Sequence, residues 1–425
     1  MLDIAFIRQN LEQCKKAAKD KNRDVDWDTL LSLDEKRRDL IGKIEDLRAE
    51  RNKWAHLNSP NLPTNLKRGG ETVREAGKSL KTEIKKLEDE LRGIENRFNL
   101  LMLTVPNIPA QGVPVGSDSS ANLEVRTWGK LPKFSYAPKD HIEIAKHLDL
   151  IDLERGAKVG GFRAYFLKNE AAQIELALLW YTFHKLASKG YTPLIAPSLV
   201  REYTLTGNGQ FPWGADEVYR IEKDDLYLSG TAEVPVTAYY SDEILDEKDL
   251  PKKFVAFSAC FRREAGSYGK DTKGVYRLHQ FNKIEQLIIS KNDMSTSFTL
   301  HDELLANAEE ILRDLELPYR VMLMCTGEMG EPQVKKYDIE TWMPGRNAYG
   351  ETMSDSFMGD FQARRLKIRY RTKDGNIAFC HTLNNTAIAS PRIIIAIIEN
   401  YQQKNGTVKI PKVLIPYLGK DVIRR

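Results

Sequence analysis

Apolar residues recur at alternating three- and four-residue steps along two stretches near the N-terminus. In the first, Leu30, Leu33, Leu40, Ile44, Leu47 and Trp54 hold the pattern, with Arg37 and Arg51 in the two remaining core positions. In the second, Leu80, Ile84, Leu87, Leu91, Ile94, Phe98 and Leu101 keep it without a break. Such a heptad seam predicts a long supercoiled helix in each stretch. Between them, Asn58-Ser59-Pro60-Asn61-Leu62-Pro63 and Gly69-Gly70 stop one helix and let the chain reverse. The expected product is an antiparallel two-helix coiled-coil arm over about residues 28–104, projecting roughly 45 Å at 1.5 Å per residue.

Pro106, Pro109 and Pro114, with Gly112 and Gly116, then mark a linker. This divides the chain into an N-terminal domain, residues 1–110, and a second domain, residues 111–425. The pattern beyond the linker is mixed. An amphipathic helix is predicted over 170–189 (Ile174, Leu178, Tyr181, Leu186), closed by Lys189-Gly190. Strand-like runs follow at Val255–Phe261, Arg277–Ile289, Leu366–Tyr370 and Ile377–Leu383, with helices near 292–315 and 391–404. Adjacent strands without intervening helices predict an α+β domain on an antiparallel sheet with flanking helices.

Composition narrows the class. The chain has 425 residues, 29% of them charged, and a net charge of +4. Residues 28–57 and 71–104 hold 14 charged side chains each, seven basic and seven acidic, so the two helices are rich in charge yet neutral in sum, while the tip adds Lys67 and Arg68. The longest apolar runs, such as Leu176–Phe183 and Ile393–Ile398, fall far short of the roughly 18 residues of a membrane span. The N-terminus reads as a short amphipathic helix, unlike a secretory signal. Cys14, Cys260, Cys325 and Cys380 are scattered without a CxxC pair, so neither a disulfide framework nor a zinc site is expected. A cytoplasmic protein with no membrane association follows.

The arm's charges admit two readings. They can solvate a coiled coil, or Lys78, Lys81, Lys85 and Arg92, on one face broken only by Glu88, can follow a phosphate backbone together with Lys67 and Arg68 at the tip. Periodicity leaves both open.

Chemistry concentrates between Phe254 and Gln286. The first arm of this segment presents Arg262 and Glu264, two apart and so on one strand face. A Gly/Lys/Asp-rich loop, Ala265–Tyr276, follows, too long for a tight turn. The return arm puts Arg277, His279, Phe281, Lys283 and Glu285 on a single face. A solvated sheet could carry the same letters, but the flanking apolar runs are those of buried strands.

This hairpin resembles motif 2 of the class II aminoacyl-tRNA synthetases in the form found in the seryl-tRNA synthetase family, bacterial type. The likeness runs nearly the full length. Leu228–Pro235 is similar to the family's Thr-Ala-Glu serine-binding loop. Gly190–Pro197 resembles motif 1, whose proline sits at a dimer interface. Phe361–Arg371 and His381–Gln402 resemble the approach to motif 3 and motif 3 itself, and the helical hairpin resembles the arm that grips the long variable arm of serine tRNA.

The resemblance implies activation of L-serine by ATP with Mg2+ and transfer to serine tRNA, with selenocysteine tRNA a further candidate acceptor, by a homodimer. The attacking group would be the serine carboxylate itself, so no protein nucleophile is needed and charge neutralisation dominates. The family's roles fall on Arg262, bridging the serine carboxylate and α-phosphate; Glu264, reading the adenine amino group; Phe281, stacking on adenine; and Arg392, clamping the γ-phosphate. Glu351 and Ser354 would hold Mg2+ and phosphate, with Arg263, Leu278, Thr352 and Met353 beside the nucleotide. Thr231, Ala232, Glu233, Glu285, Asn384 and Thr386 would line the serine pocket. Catalysis would rest on Arg262, Arg392 and Glu351. His279 and His381 are read as hydrogen-bonded structural histidines. Lys270, Asp271 and Lys273 either keep the loop soluble or meet the tRNA acceptor end.

Two segments depart from the family. Glu351-Thr352-Met353-Ser354-Asp355-Ser356-Phe357 stands where Glu-Ile-Ser-Ser-Cys-Ser-Asn is usual, so Met353, Asp355 and Phe357 are expected to alter polarity around the phosphate site. Ser390-Pro391-Arg392 replaces Val-Gly-Arg; serine as N-cap and proline at the first helical position would still start a helix at Arg392. Two competing readings remain: a seryl-ligase paralogue serving a carrier other than tRNA, which the arm disfavours, and a catalytically inactive dimeric paralogue.

Overall fold

The computed structural model describes residues 1–57, 67–68, 71–267 and 273–425. The expected turn Asn58–Pro63, Gly69-Gly70, the side chains of Lys67 and Arg68, and Lys270 and Asp271 lie outside the described residues. The chain divides into two compact units, one of residues 2–15 and 24–105, the other of residues 1, 16–23 and 106–425.

In the smaller unit, α1 (Trp27–Leu57) and α2 (Val73–Thr104) form the coiled-coil arm. Thirty-one residues give α1 a length of about 46 Å. The seam is driest at Leu30, Leu33, Leu40 and Ile44 on α1 and at Leu80, Ile84 and Phe98 on α2. Two helices alone cannot enclose a full core, and Leu47, Trp54, Leu87, Leu91 and Ile94 stay half-buried. Arg37 occupies its seam position by laying its guanidinium 4.9 Å from the Phe98 ring centroid and bonding Asp34 at 3.1 Å. Arg48 on α1 pairs with Glu88 on α2 at 2.7 Å. Lys67-Arg68 and Glu71-Thr72 pair as a short antiparallel ladder.

The larger unit is built on an eight-stranded sheet. Its strands are β1 (Leu123–Trp128), β2 (Thr192–Ile195), β3 (Lys252–Phe261), β4 (Gln280–Ser290), β5 (Tyr319–Leu323), β6 (Lys335–Met343), β7 (Ala348–Gly359) and β8 (His381–Ala389). They lie in the order β1-β5-β6-β7-β8-β4-β3-β2, antiparallel except for the β3/β2 pair at one edge. Strand alternation splits each strand between two jobs. On β4, Ile284 and Ile288 enter the main core with the helices α4 (Asn169–Ser188), α6 (Met294–Asp314) and α8 (Ser390–Asn400), where Leu178, Leu304 and Ile394 are fully buried. Phe281, Lys283 and Glu285 turn to the other face, which Leu287 and Ile289 continue into a smaller core with Phe254 and Ile368. The helices thus cover one side of the sheet and leave the middle of the other for chemistry. Here α3 denotes His141–Leu148, α5 Glu233–Thr237 and α7 Phe361–Leu366.

Several expected boundaries move. β3 ends at Phe261, so Arg262 and Glu264 are not on a strand; the chain leaves the ladder, and Glu264 takes a left-handed conformation, φ 54°. The return strand starts at Gln280 rather than Arg277. Leu366 ends α7, because Lys367 at φ 56° closes the helix, and the strand there is Arg369–Arg371. The N-cap of α8 is Ala389, one residue earlier than expected; Ser390 instead donates to Glu175 at 2.6 Å. Among the described residues, no helix is long and apolar enough to cross a membrane.

Candidate active site

The middle of this sheet face carries two adjoining constellations. The first is a pocket around Glu285 on β4. One oxygen of its carboxylate accepts from Asn384 at 3.0 Å; the other accepts from Thr386 at 3.3 Å and lies 3.5 Å from the Thr231 hydroxyl. Asn384 and Thr386 come from the neighbouring strand β8, where their two-residue spacing puts both on the pocket face. Glu233, at the start of α5, accepts from Asn384 at 3.1 Å and from Asn208 and Gln362 at 2.9 Å each. Burial, together with the charge of Glu285, pushes the Glu233 carboxyl above its usual range.

Lys283, which the sequence placed on the right face without a role, is the centre of this pocket. Its ammonium forms an ion pair with Glu285 and donates to Thr231 at 2.7 Å and Thr386 at 3.3 Å. Its position two residues before Glu285 on one strand face was the available signal. Asn208 and Gln362 could not have been found that way, because they reach Glu233 from separate helices. Ala232 is fully buried in the smaller core.

The second constellation is a cleft whose walls include Arg262, Glu264, Leu278, Phe281, Glu351, Ser354 and Arg392. Arg262 lies with its guanidinium 5.3 Å from the Phe281 ring centroid and bonds the Gly230 carbonyl at 3.3 Å. Glu264 pairs with Arg277 at 3.2 Å. Arg392, near the start of α8, donates to the Glu351 carbonyl at 2.8 Å, pairs with its carboxylate at 3.2 Å, and covers the Tyr276 ring at 4.5 Å. Arg263 is exposed and lines neither constellation. His279 meets the Arg262 carbonyl at 2.9 Å, and His381 meets Ser297 at 2.8 Å. Burial lowers His381 to about 4, which keeps it neutral.

A bulge between β6 and β7 decides what Glu351–Phe357 present. Ile339 faces Met353 while Glu340 faces Glu351, so Thr352 is the extra residue. Thr352 points into the sheet, bonding Thr341 at 2.7 Å and the Ile339 carbonyl at 3.2 Å. Glu351 and Ser354 thereby share the cleft face with Asp338, which is opposite Ser354 in register. Of the three departures only Met353 lines the cleft, beside Thr352, so the expected change of polarity there falls to Met353 and not to Asp355 or Phe357. Met353 and Phe357 join the main core, and Asp355, fully buried, faces His301 of α6 at 2.8 Å.

These carboxylates influence one another. Burial and the Glu351 charge together outweigh Lys336 and raise Asp338 to about 6. Burial would also raise Glu351, but Arg392, Lys336 and Arg262 hold it below the ordinary value. One Asp338 carboxylate oxygen is buried without a hydrogen-bond partner. Among the described residues no three His, Cys, Asp or Glu side chains group into a metal cage.

Comparison with known proteins gives the family. Residues 217–401 match the family model for the tRNA synthetase class II core domain (G, H, P, S and T), and residues 1–109 match that for the seryl-tRNA synthetase N-terminal domain. A serine–tRNA ligase of Deinococcus radiodurans is 45% identical over 422 residues, spanning 99% of this chain and 98% of its own. The crystal structure of seryl-tRNA synthetase from Pyrococcus horikoshii complexed with ATP is similar with a TM-score of 0.91 at 39% identity, covering 100% of this chain and 99% of that one. The cytoplasmic serine–tRNA ligase of Naegleria fowleri in complex with AMP gives 0.87 at 33% identity, over 100% and 99%. The chain belongs to the seryl-tRNA synthetase family of class II aminoacyl-tRNA synthetases.

Proposed function

We propose that the chain activates L-serine with ATP and transfers the seryl group to serine tRNA, and that the two constellations divide the first step between them. The observation that carries this reading is the convergence of Thr231, Lys283, Glu285, Asn384 and Thr386 on one spot beside Arg262. Glu285 accepts from the substrate ammonium and hydroxyl, with Thr231 and Thr386 completing the hydrogen bonds. Arg262 draws the serine carboxylate to the α-phosphate. A carboxylate oxygen then bonds to the α-phosphorus, the bond to pyrophosphate breaks, and pyrophosphate leaves with the electron pair. No proton moves, so preorganised charge is the main contribution of the protein.

Phe281 and Glu264 take the adenine. Arg262 lies against the Phe281 ring, so an adenine stacked on that ring requires the guanidinium to turn toward the phosphates. Arg392 clamps the outer phosphates from the helix start. Glu351, Ser354 and Asp338 suit a Mg2+ ion held through one or two carboxylates and the substrate phosphates, and the unpartnered Asp338 oxygen supports that fit. Bound there, the ion would neutralise developing charge on the leaving pyrophosphate.

We assign tRNA contact to the arm. Lys78, Lys81, Lys85 and Arg92 are exposed on α2, and Glu88, which interrupts their row, is partly drawn off by Arg48. The homodimer rests on the apolar side chains left exposed near motif 1: Leu176 at 70%, Trp180 at 57% and Ile195 at 82%. Four buried free cysteines suit the cytoplasm. The arm leaves no reason to prefer a carrier other than tRNA. Serine-dependent ATP–pyrophosphate exchange that falls by at least about 10²-fold in Arg262→Ala tests the assignment; an unaffected variant would refute it.

A further inference from the structure

A buried carboxylate outside the nucleotide cleft braces one of its walls. Glu399, near the end of α8 and fully buried, accepts from the main-chain N–H of His141 at 2.8 Å and faces the His141 Nδ1 at 3.0 Å. Its other oxygen accepts from the Gly345 N–H at 2.9 Å, in the turn between β6 and β7. One side chain thus joins the start of α3, the end of α8 and the turn that leads into the strand of Glu351.

The far side of the His141 ring meets the end of the Ala265–Tyr276 loop. Nε2 lies 3.4 Å from the Val275 nitrogen. A main-chain N–H can only donate, so Nε2 accepts, and the ring proton sits on Nδ1 against the Glu399 carboxylate. Val275 is 1% exposed, so water is no alternative partner for it. Gly274, at φ 73°, allows the close approach, since a Cβ there would stand 2.0 Å from Nε2. Val275 and Tyr276 line the nucleotide cleft; His141 does not, and lines instead a separate hollow of about 250 Å³ that Val275 shares.

Tyr276 carries the brace into the cleft. Its hydroxyl donates to the Glu351 carbonyl at 3.1 Å, and its own carbonyl accepts from the Arg392 Nε at 3.3 Å. The Arg392 guanidinium lies 4.5 Å from its ring centroid, and Arg346, next to Gly345, brings a second guanidinium to 4.6 Å from the same ring. Glu399 therefore reaches Tyr276 by two routes, through His141 and Val275 and through Gly345 and Arg346.

We infer that His141, held by Glu399, is a positioning residue for the triphosphate end of the cleft: it fixes Val275 and Tyr276, and through them the Arg392 guanidinium and Glu351. The inference rests on the function proposed above, in which those two groups meet the outer phosphates and Mg2+. Phe281 at the adenine and the pocket around Glu285 lie outside this chain of contacts. ATP binding should therefore depend on His141 where AMP and serine binding do not.

Substitutions at His141 separate this role from plain packing. His141→Ala removes both ring contacts. His141→Asn keeps a donor for Glu399 but is too short for Val275, whereas His141→Gln can offer Val275 its side-chain oxygen. Each is compared with the parent in serine-dependent ATP–pyrophosphate exchange, and in direct titration with ATP and with AMP in the absence of serine. His141→Ala and His141→Asn are expected to lose roughly 10- to 100-fold in kcat/KM for ATP, the scale of a positioned group displaced by about 1 Å, with AMP affinity and the KM for serine within about twofold of the parent. His141→Gln should regain most of the loss. Parent-like ATP kinetics in His141→Asn, no recovery in His141→Gln, or AMP and serine affected as strongly as ATP would overturn the inference. Should His141→Ala fail to fold, His141→Asn and His141→Gln still decide. A parent without serine-dependent exchange would instead undo the functional reading, so the two failures are distinguishable.

Discussion

Lys283 and Glu285 meet as a buried ion pair in the pocket, with side chains 5% and 1% exposed. Taking one partner away leaves a charge with neither water nor a counter-ion, a loss of about 3–5 kcal/mol in pairs of this kind. Lys283→Met should therefore lower the melting temperature, and Lys283→Met/Glu285→Gln should recover much of that loss while remaining inactive in exchange. Thermal melts of the two variants check this; a single variant as stable as the parent would contradict it.

Asp338 provides a pH dependence. Its carboxyl titrates near 6, held up by burial and by Glu351. A divalent cation binds the anion, so below that value a proton must leave first. The Mg2+ concentration for half-maximal exchange should stay flat above pH 6 and climb, up to about tenfold per pH unit, below it. Asp338→Asn should need more Mg2+ at pH 7 and lose the inflection. Mg2+ titrations at three pH values would read both effects.

The buried Asp355–His301 contact belongs to the core, on the face of β7 opposite Ser354. Asp355→Ala is predicted to cost stability, about 3–5 kcal/mol if the pair is charged. The KM for ATP should stay within about twofold, since the side chain does not face the cleft. A melt and an ATP titration on one preparation decide the matter; a large rise in KM with unchanged stability would return Asp355 to the nucleotide site.

Deleting residues 28–104 and closing the gap should spare serine activation and abolish charging of serine tRNA. Reversing Lys78, Lys81, Lys85 and Arg92 to glutamate should weaken tRNA binding and flatten its salt dependence without touching exchange. Equal charging by the shortened protein would remove the arm from the account.

Much of this was readable from local patterns. The heptad seam of Leu30–Trp54 and Leu80–Leu101 requires only side-chain spacing, and the β3/β4 hairpin announces itself by apolar runs flanking a charged face. Glu285, Asn384 and Thr386 converge because adjacent strands place same-parity residues on one face. What spacing could not supply was irregular or long-range. The bulge at Thr352 shifts register by one residue and so sends Asp355 into the core and Glu351 into the cleft. The left-handed turn at Glu264 depends on where the ladder stops. Lys21, just past the helix that ends at Asp20, gives no local sign of its role, yet burial lowers it to about 7 while it caps carbonyls some 310 residues away.

The most direct measurement is ATP–pyrophosphate exchange by the intact protein across the twenty amino acids. Serine should give the highest kcat/KM. Alanine, which leaves the buried Glu285 without a hydroxyl to bind, should fall by as much as the order of 10⁴. Threonine, refused only for want of room, should be the nearest competitor. Exchange led by any other amino acid, or none with serine, would contradict the account.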